Sequence, residues 1–140
     1  MCIILQGAKS VGFGDKMSGY NEQRYLLTST YMPLRVSLTD ASKERPYISL
    51  ILKFSMDEIY EVLKNVKIRE ENMQKSQKGV IFGDLTEEIL EPVLRFILLL
   101  KKPKEKIKFL SDLAKKEILY TLVTSDKSGY FLNKFAMQGS

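Results

Sequence analysis

From residue 2 to residue 54 the chain runs in short apolar stretches separated by turn residues, and where a pattern is clean it alternates with period two. The stretches are "CIILQ" (2–6), "SVGF" (10–13), "YLLTST" (25–30), "LRVSL" (34–38) and "YISLILKF" (47–54). In the fourth, Leu34, Val36 and Leu38 share one face, with Arg35 and Ser37 on the other. The fifth follows Pro46. Its Ile48, Leu50, Leu52 and Phe54 share a face, opposite Tyr47, Ser49 and Ile51. Five such strands at regular spacing predict a small antiparallel sandwich or barrel.

At Ser55 the period changes. "SMDE" sets Ser55 three residues before Glu58, the spacing of a capping box. Ile59, Val62, Leu63 and Val66 then fall on one helical face. "KIREENMQKSQK" (67–78) is polar and reads as frayed helix or linker, and "GVIF" as a brief strand. "DLTE" offers a second cap, Asp84 with Glu87. Two helical segments follow, parted by "KKP". The first carries Ile89, Val93, Phe96 and Leu100, with Pro92 inside it, where a backbone hydrogen bond is lost or the helix kinks. The second carries Ile107, Leu110, Ala114, Ile118 and Leu122. Leu90, Leu94, Leu98 and Leu99 make the first segment apolar nearly all round, which predicts burial on two sides. One side packs on its own domain; the other is expected to meet a second copy of the chain. The short turn makes the pair an antiparallel hairpin, and a last helix forms around "YFLNKF". The expected organisation is a β-barrel portion with its following helix over 1–66, a linker and short strand over 67–83, and a dimerising helical hairpin over 84–140.

Glycine spacing bears on function. Gly12, Gly14 and Gly19 in "SVGFGDKMSGY" stand as G-x-G-x-x-x-x-G, and Met17 occupies the place where a dinucleotide loop needs its third glycine. No amphipathic helix follows to offer its N-terminus to a phosphate. The run therefore reads as a strand turning back at Gly14-Asp15.

Composition narrows the chemistry further. The 140 residues contain no histidine, so the commonest general base, pH switch and metal ligand are all missing. The single cysteine, Cys2, excludes an intrachain disulfide and a Cys/His zinc site. No metal or other cofactor is expected. Cys2 itself reads first as a small buried strand residue and second as a thiol sensor. The net charge of +5 is mild. Its densest cluster, "KKPKEKIK", has no interleaved aromatic residue to stack on bases and reads as a solvated loop between helices. The longest apolar run, "FILLL", is too short to span a bilayer, and "MCIILQG" lacks the features of a secretory signal. A cytoplasmic protein without membrane partners is expected.

Three segments, "IILQGAKSVGFGD", "YLLTSTYMPLRVSLTDASKERPYISLILKF" and "KKEILYTLVT", together resemble the N-terminal domain of AraC-type (AraC/XylS family) bacterial transcription regulators. The resemblance runs in order from residue 2 to residue 140. It implies an α+β fold: a partial cupin-like antiparallel barrel or sandwich followed by a helical hairpin that mediates dimerisation. It also implies a domain that senses a small effector, with DNA read by a separate C-terminal pair of helix-turn-helix motifs. That region lies outside this chain, as does a segment normally preceding "ILQG", so the chain is expected to be part of a longer protein and not to bind an operator alone. Ser18 and Gln23 depart from the family pattern after the Gly-Asp turn, where relatives tend to carry a tyrosine and then a glycine.

The leading reading is a non-enzymatic regulatory domain and homodimer with a small-molecule effector. Strand alternation points to Gln6, Phe13, Tyr25, Tyr47 and Ser49 for the cavity, although Tyr25 and Tyr47 could equally cap the core. The dimer face is assigned to Phe96, Leu99, Leu100, Leu113 and Tyr120. The alternatives are a metal-independent cupin-type sugar isomerase or epimerase, which the missing histidine disfavours, and a purely structural dimerisation module with a filled interior.

Overall fold

The computed structural model describes residues 1–29, 33–66 and 79–138. The polar stretch 67–78 and the end of the predicted strand at Thr30 lie outside the described residues. Among them are seven strands and four helices. The strands are β1 (Cys2–Gln6), β2 (Ala8–Phe13), β3 (Lys16–Asn21), β4 (Arg24–Thr28), β5 (Arg35–Asp40), β6 (Ile48–Ile51) and β7 (Val80–Asp84). The helices are α1 (Met56–Leu63), α2 (Glu87–Leu99), α3 (Lys104–Val123) and α4 (Asp126–Gln138). The fold is α+β: two antiparallel sheets, ordered β6-β1-β4-β7 and β3-β2-β5, and a helical hairpin later in the chain. Among the described residues the sheets are not joined into a closed barrel.

The chain forms two compact units: Met1–Phe54 with Ser76–Leu85, and Ser55–Lys75 with Thr86–Ser140. In the first, β2 and β3 make the hairpin expected at Gly14-Asp15, paired from Ala8↔Asn21 to Phe13↔Lys16. Gly14 takes φ +58°, the left-handed conformation that glycine adopts without steric cost. β3 was not among the predicted stretches, because "KMSGYN" has no apolar alternation; its pairing with β2 makes it a strand. The interior is built by Cys2, Ile4, Val11, Tyr20, Leu26 and Val80, with Phe13, Leu34, Tyr47 and Phe82 packed around them. The first sheet is buried on its other face as well, through Ile3, Tyr25, Leu27 and Ile81.

Two expectations about faces change. Every residue of β5 is exposed, Val36 and Leu38 included. Val36 does stand opposite Val11 in register, but β5 is the edge strand of its sheet, and among the described residues nothing covers it. On β6, Ile48 and Ile51 are exposed, whereas Leu52, just beyond it, is buried. The run "ASKERPY" connects β5 to β6 as a compact turn. Arg45 pairs with Asp40 at 2.7 Å and Glu22 at 2.9 Å, and its N–H donates to Ser42 Oγ.

In the second unit, α1 opens on the expected capping box. Ser55 Oγ accepts from the Glu58 N–H, and the Glu58 carboxylate accepts from the Ser55 N–H. Ile59 and Val62 are buried. Glu58 pairs with Lys115 at 3.0 Å, Glu61 with Lys116 at 2.8 Å, and the Tyr60 hydroxyl donates to the Ala136 carbonyl. These contacts place α1 with α3 and α4, whereas the domain reading ran its first segment on to residue 66. The cap expected from Asp84 does not form. Asp84 ends β7, and Thr86 occupies the N-cap of α2 without a side-chain hydrogen bond. α2 continues through Pro92 with Ile89, Val93, Phe96 and Leu99 buried. α3 returns alongside it, Arg95 bridging to Glu117 and to Glu91, each at 2.7 Å. The lysines of "KKPKEKIK" are all exposed, as the solvated reading has it, but the run is not a loop throughout: from Lys104 on it is the first part of α3.

Candidate functional site

Alternation along β2 puts Lys9, Val11 and Phe13 on one face, and that face is the interior. A lysine is thereby carried into an apolar core. Only 9% of Lys9 is exposed. Its Nζ donates to Cys2 Sγ at 3.3 Å and lies 5.4 Å from the centroid of the Tyr20 ring. Tyr20 stands directly opposite Lys9 across the β2–β3 pair and is 4% exposed. Its ring meets Phe82 of β7 edge-on, centroids 5.2 Å apart. The Arg24 guanidinium covers Phe82 at 4.9 Å while donating to the Gly19 carbonyl at 2.6 Å. Two cations thus bracket a pair of aromatic rings, an arrangement held by the attraction of positive charge to the ring faces.

Among the described residues the buried hydroxyls of Tyr20 and Tyr47 have no hydrogen-bond partner within ordinary reach, although the Cys2 thiol neighbours that of Tyr20. Leaving such a group unpaired costs about 1–3 kcal/mol. Burial, reinforced by the neighbouring Cys2 thiol and then by Tyr47, pushes the Tyr20 phenol well above its usual range, so it stays a neutral hydrogen-bond donor. Among the described residues Lys9 has no carboxylate partner. An open groove of about 420 Å³ reaches Tyr20 from the side of Gly19, Gln23, Arg24, Thr39 and Asp84. Arg24 and Asp84 face each other in the β4–β7 register, yet Arg24 turns to Phe82 and Gly19 instead. Buried cation, phenol donors and aromatic faces equip the site to bind an acceptor.

The predicted cavity residues divide. Phe13 and Tyr47 pack on the interior cluster, and Ser49 lies opposite Ile4 in register, on the same side. Gln6 is committed to the turn, its Nε2 donating to the Pro46 carbonyl at 2.6 Å. Tyr25 faces away. Its neighbour Leu26 points into the core, and its own ring fills the space over Gly83, which has no side chain. Cys2 is buried on β1 in contact with Lys9. Lys9, Tyr20 and Arg24 were not singled out from the sequence. The signal was present for Lys9, which falls in phase with Val11 and Phe13.

The residues assigned to a dimer face divide as well. Leu100, Leu113 and Tyr120 are exposed, but Phe96 and Leu99 are taken up by the chain's own packing. The exposed stripe of α2 lies round the helix from them, at Leu90, Leu94 and Leu98. Among the described residues no helix is long and apolar enough to cross a membrane.

No curated protein matches the chain. The family described as AraC-type transcriptional regulator N-terminus matches residues 1–130 of the 140, and the chain belongs to that family.

Proposed function

We propose that this regulatory domain binds a small effector inside its strand unit and forms homodimers through its helical hairpin, so controlling DNA binding by a region outside this chain. The observation that carries the first half is the pair of buried, unpartnered phenol hydroxyls beside Lys9. A ligand that accepts from them supplies hydrogen bonds that no other described residue offers. The exposed leucines of α2, with Leu113 and Tyr120 of α3, support the second half. A regulator needs only a ligand that prefers one arrangement, a coupling of about 1–3 kcal/mol. Such a protein works in the cytoplasm, where its DNA is, and carries out no catalysis.

A thermal-shift screen of sugars, organic acids, amines and neutral metabolites tests effector binding. At least one compound is expected to raise the melting temperature in a saturable way. A flat response across all classes would leave only the filled, structural module.

A further inference from the structure

We propose that the tip of the helical hairpin, Lys101 to Lys108, docks on the phosphate backbone of duplex DNA and gives this domain a sequence-independent hold on DNA of its own. The contact needs neither an effector nor a dimer. It rests only on the chain's belonging to a family of transcription regulators.

Charge is the first argument. Five lysines against Glu105 give residues 101–108 a charge of +4, while the whole chain carries +5. Nearly all of the net charge therefore stands at one end of one hairpin. All five lysines are exposed. Among the described residues none of the five enters an ion pair; the hairpin's paired cations are Arg95, Lys115 and Lys116. Such a cluster is matched by closely spaced negative charges, and a duplex presents one for about every 1.7 Å of its axis.

Placement is the second argument. Lys104 and Lys106 lie in the first turn of α3, at the positive end of its dipole, and Pro103 at the N-cap makes no side-chain hydrogen bond there. Lysine at these positions weakens the helix it belongs to. Proteins break a local rule of this kind where function requires it. A phosphate at the tip reverses the sign, because lysines and helix start then face the same negative charge.

The kind of anion follows from what the face holds. Its cations are all lysines, which meet a phosphate as point charges, whereas the arginine fork selects planar, bidentate partners. Steps of 100° place Lys104 and Lys108 about 40° apart on α3, with Phe109, Leu113 and Tyr120 about 140–180° round from Lys104. The apolar stripe is therefore on another side of the helix. The lysine face has neither an aromatic ring nor an arginine, the usual anchors of a protein interface. It also lacks a ring on which unpaired bases could stack. A duplex backbone, held without base reading, fits it best.

Fluorescence anisotropy of the 140-residue chain with two labelled duplexes of unrelated sequence tests this, in sodium chloride from roughly 20 to 200 mM. Both duplexes are expected to bind alike at low salt. The logarithm of the affinity should fall with that of salt with a slope of about −2 to −4, the release from two to four phosphates. Lys104→Gln/Lys108→Gln should lower the low-salt affinity by at least about tenfold and make the slope shallower by about 2. It should melt no lower than wild type, because it relieves the start of α3. Lys101→Gln/Lys102→Gln should repeat the loss from the turn, outside the helix. Lys16→Gln/Lys43→Gln removes the same charge from exposed positions of the strand unit and should leave binding unchanged.

Equal losses in all three double variants would mean attraction to net charge, and would overturn the assignment. So would a chain that binds neither duplex at the lowest salt. A polyglutamate peptide that competes as well as unlabelled duplex, charge for charge, would give the tip to an acidic protein segment instead. Tighter binding of single-stranded DNA would refute the duplex. The effector and dimer readings stand in each case, since their own measurements contain no DNA.

Discussion

At the scale of single residues, the close approach of Tyr25 to Gly83 shows how one missing side chain sets a register. A Cβ on Gly83 would come within 2.7 Å of Tyr25 Cε1 and nearer still to the far end of the ring. Tyr25 is buried and has little room to retreat. Gly83→Ala should therefore destabilise by about 1–3 kcal/mol, the usual cost of forcing extra atoms into a packed site. Urea denaturation measures this, and Tyr25→Leu in the same chain should recover part of the loss because the two positions share one cause. Gly14→Ala should cost about 1–2 kcal/mol for backbone reasons alone, since nothing lies within 4 Å of the added carbon. Tyr25 also shows why the sequence leaves the side it faces open. "RYLL" is apolar at Tyr25, Leu26 and Leu27, so it carries no phase to say which side faces the interior, and both faces of this sheet are buried. Phe13 and Tyr47 do pack on the interior, Phe13 two positions after Val11 and Tyr47 two before Ser49. Lys9 had the phase but not the polarity expected of an interior position, and its charge hid it.

At the scale of elements, what reads well is what local chemistry determines. The capping box of α1 follows from Ser55 and Glu58 alone, and Ser55→Ala should cost about 1 kcal/mol in chemical denaturation. Glu58 also makes a contact that the sequence does not announce, with Lys115 on α3. Burial works against its charge. The Ser55 backbone, the Ser55 hydroxyl and Lys115 outweigh that and hold its carboxyl below the usual range. A carboxyl whose folded value is depressed contributes stability above the unfolded value of about 4.3, and loses it as pH falls through the folded value. Stability should therefore drop below about pH 4 in wild type, and Glu58→Gln should flatten that part of the pH profile. An unchanged slope would place the loss at other carboxylates. The start of α3 shows the opposite case, a local signal working against its element. Lys104 and Lys106 occupy the first turn, where the helix dipole is positive. Lys104→Glu should raise stability by about 0.3–1 kcal/mol at low salt, an increment that shrinks as salt is added. β3 and the membership of α1 in the helical unit were not legible, because each depends on partners distant in sequence.

At the scale of the whole molecule, the unresolved demand is the apolar surface of the hairpin. Leu90, Leu94 and Leu98 recur every four residues along α2, and Phe109, Leu113 and Tyr120 fall on one face of α3. Sequence periodicity found the surplus of leucines but could not say which of them the chain would cover itself; packing chose Phe96 and Leu99. If the remainder forms the dimer face, sedimentation velocity at tens of micromolar should show a dimer. Leu98→Glu should give a monomer with unchanged far-ultraviolet circular dichroism, while Lys101→Glu, on the neighbouring turn, should not. Salt separates this contact from an electrostatic one. Each chain carries a net charge of +5, so two copies repel at long range. At 0.15 M salt the screening length is about 8 Å, and that repulsion is largely removed. Association through leucines should therefore tighten as sodium chloride rises from low concentration. Weakening with salt would instead mean that ion pairs hold the copies together, and a chain monomeric at every salt concentration would remove the dimer from the proposal.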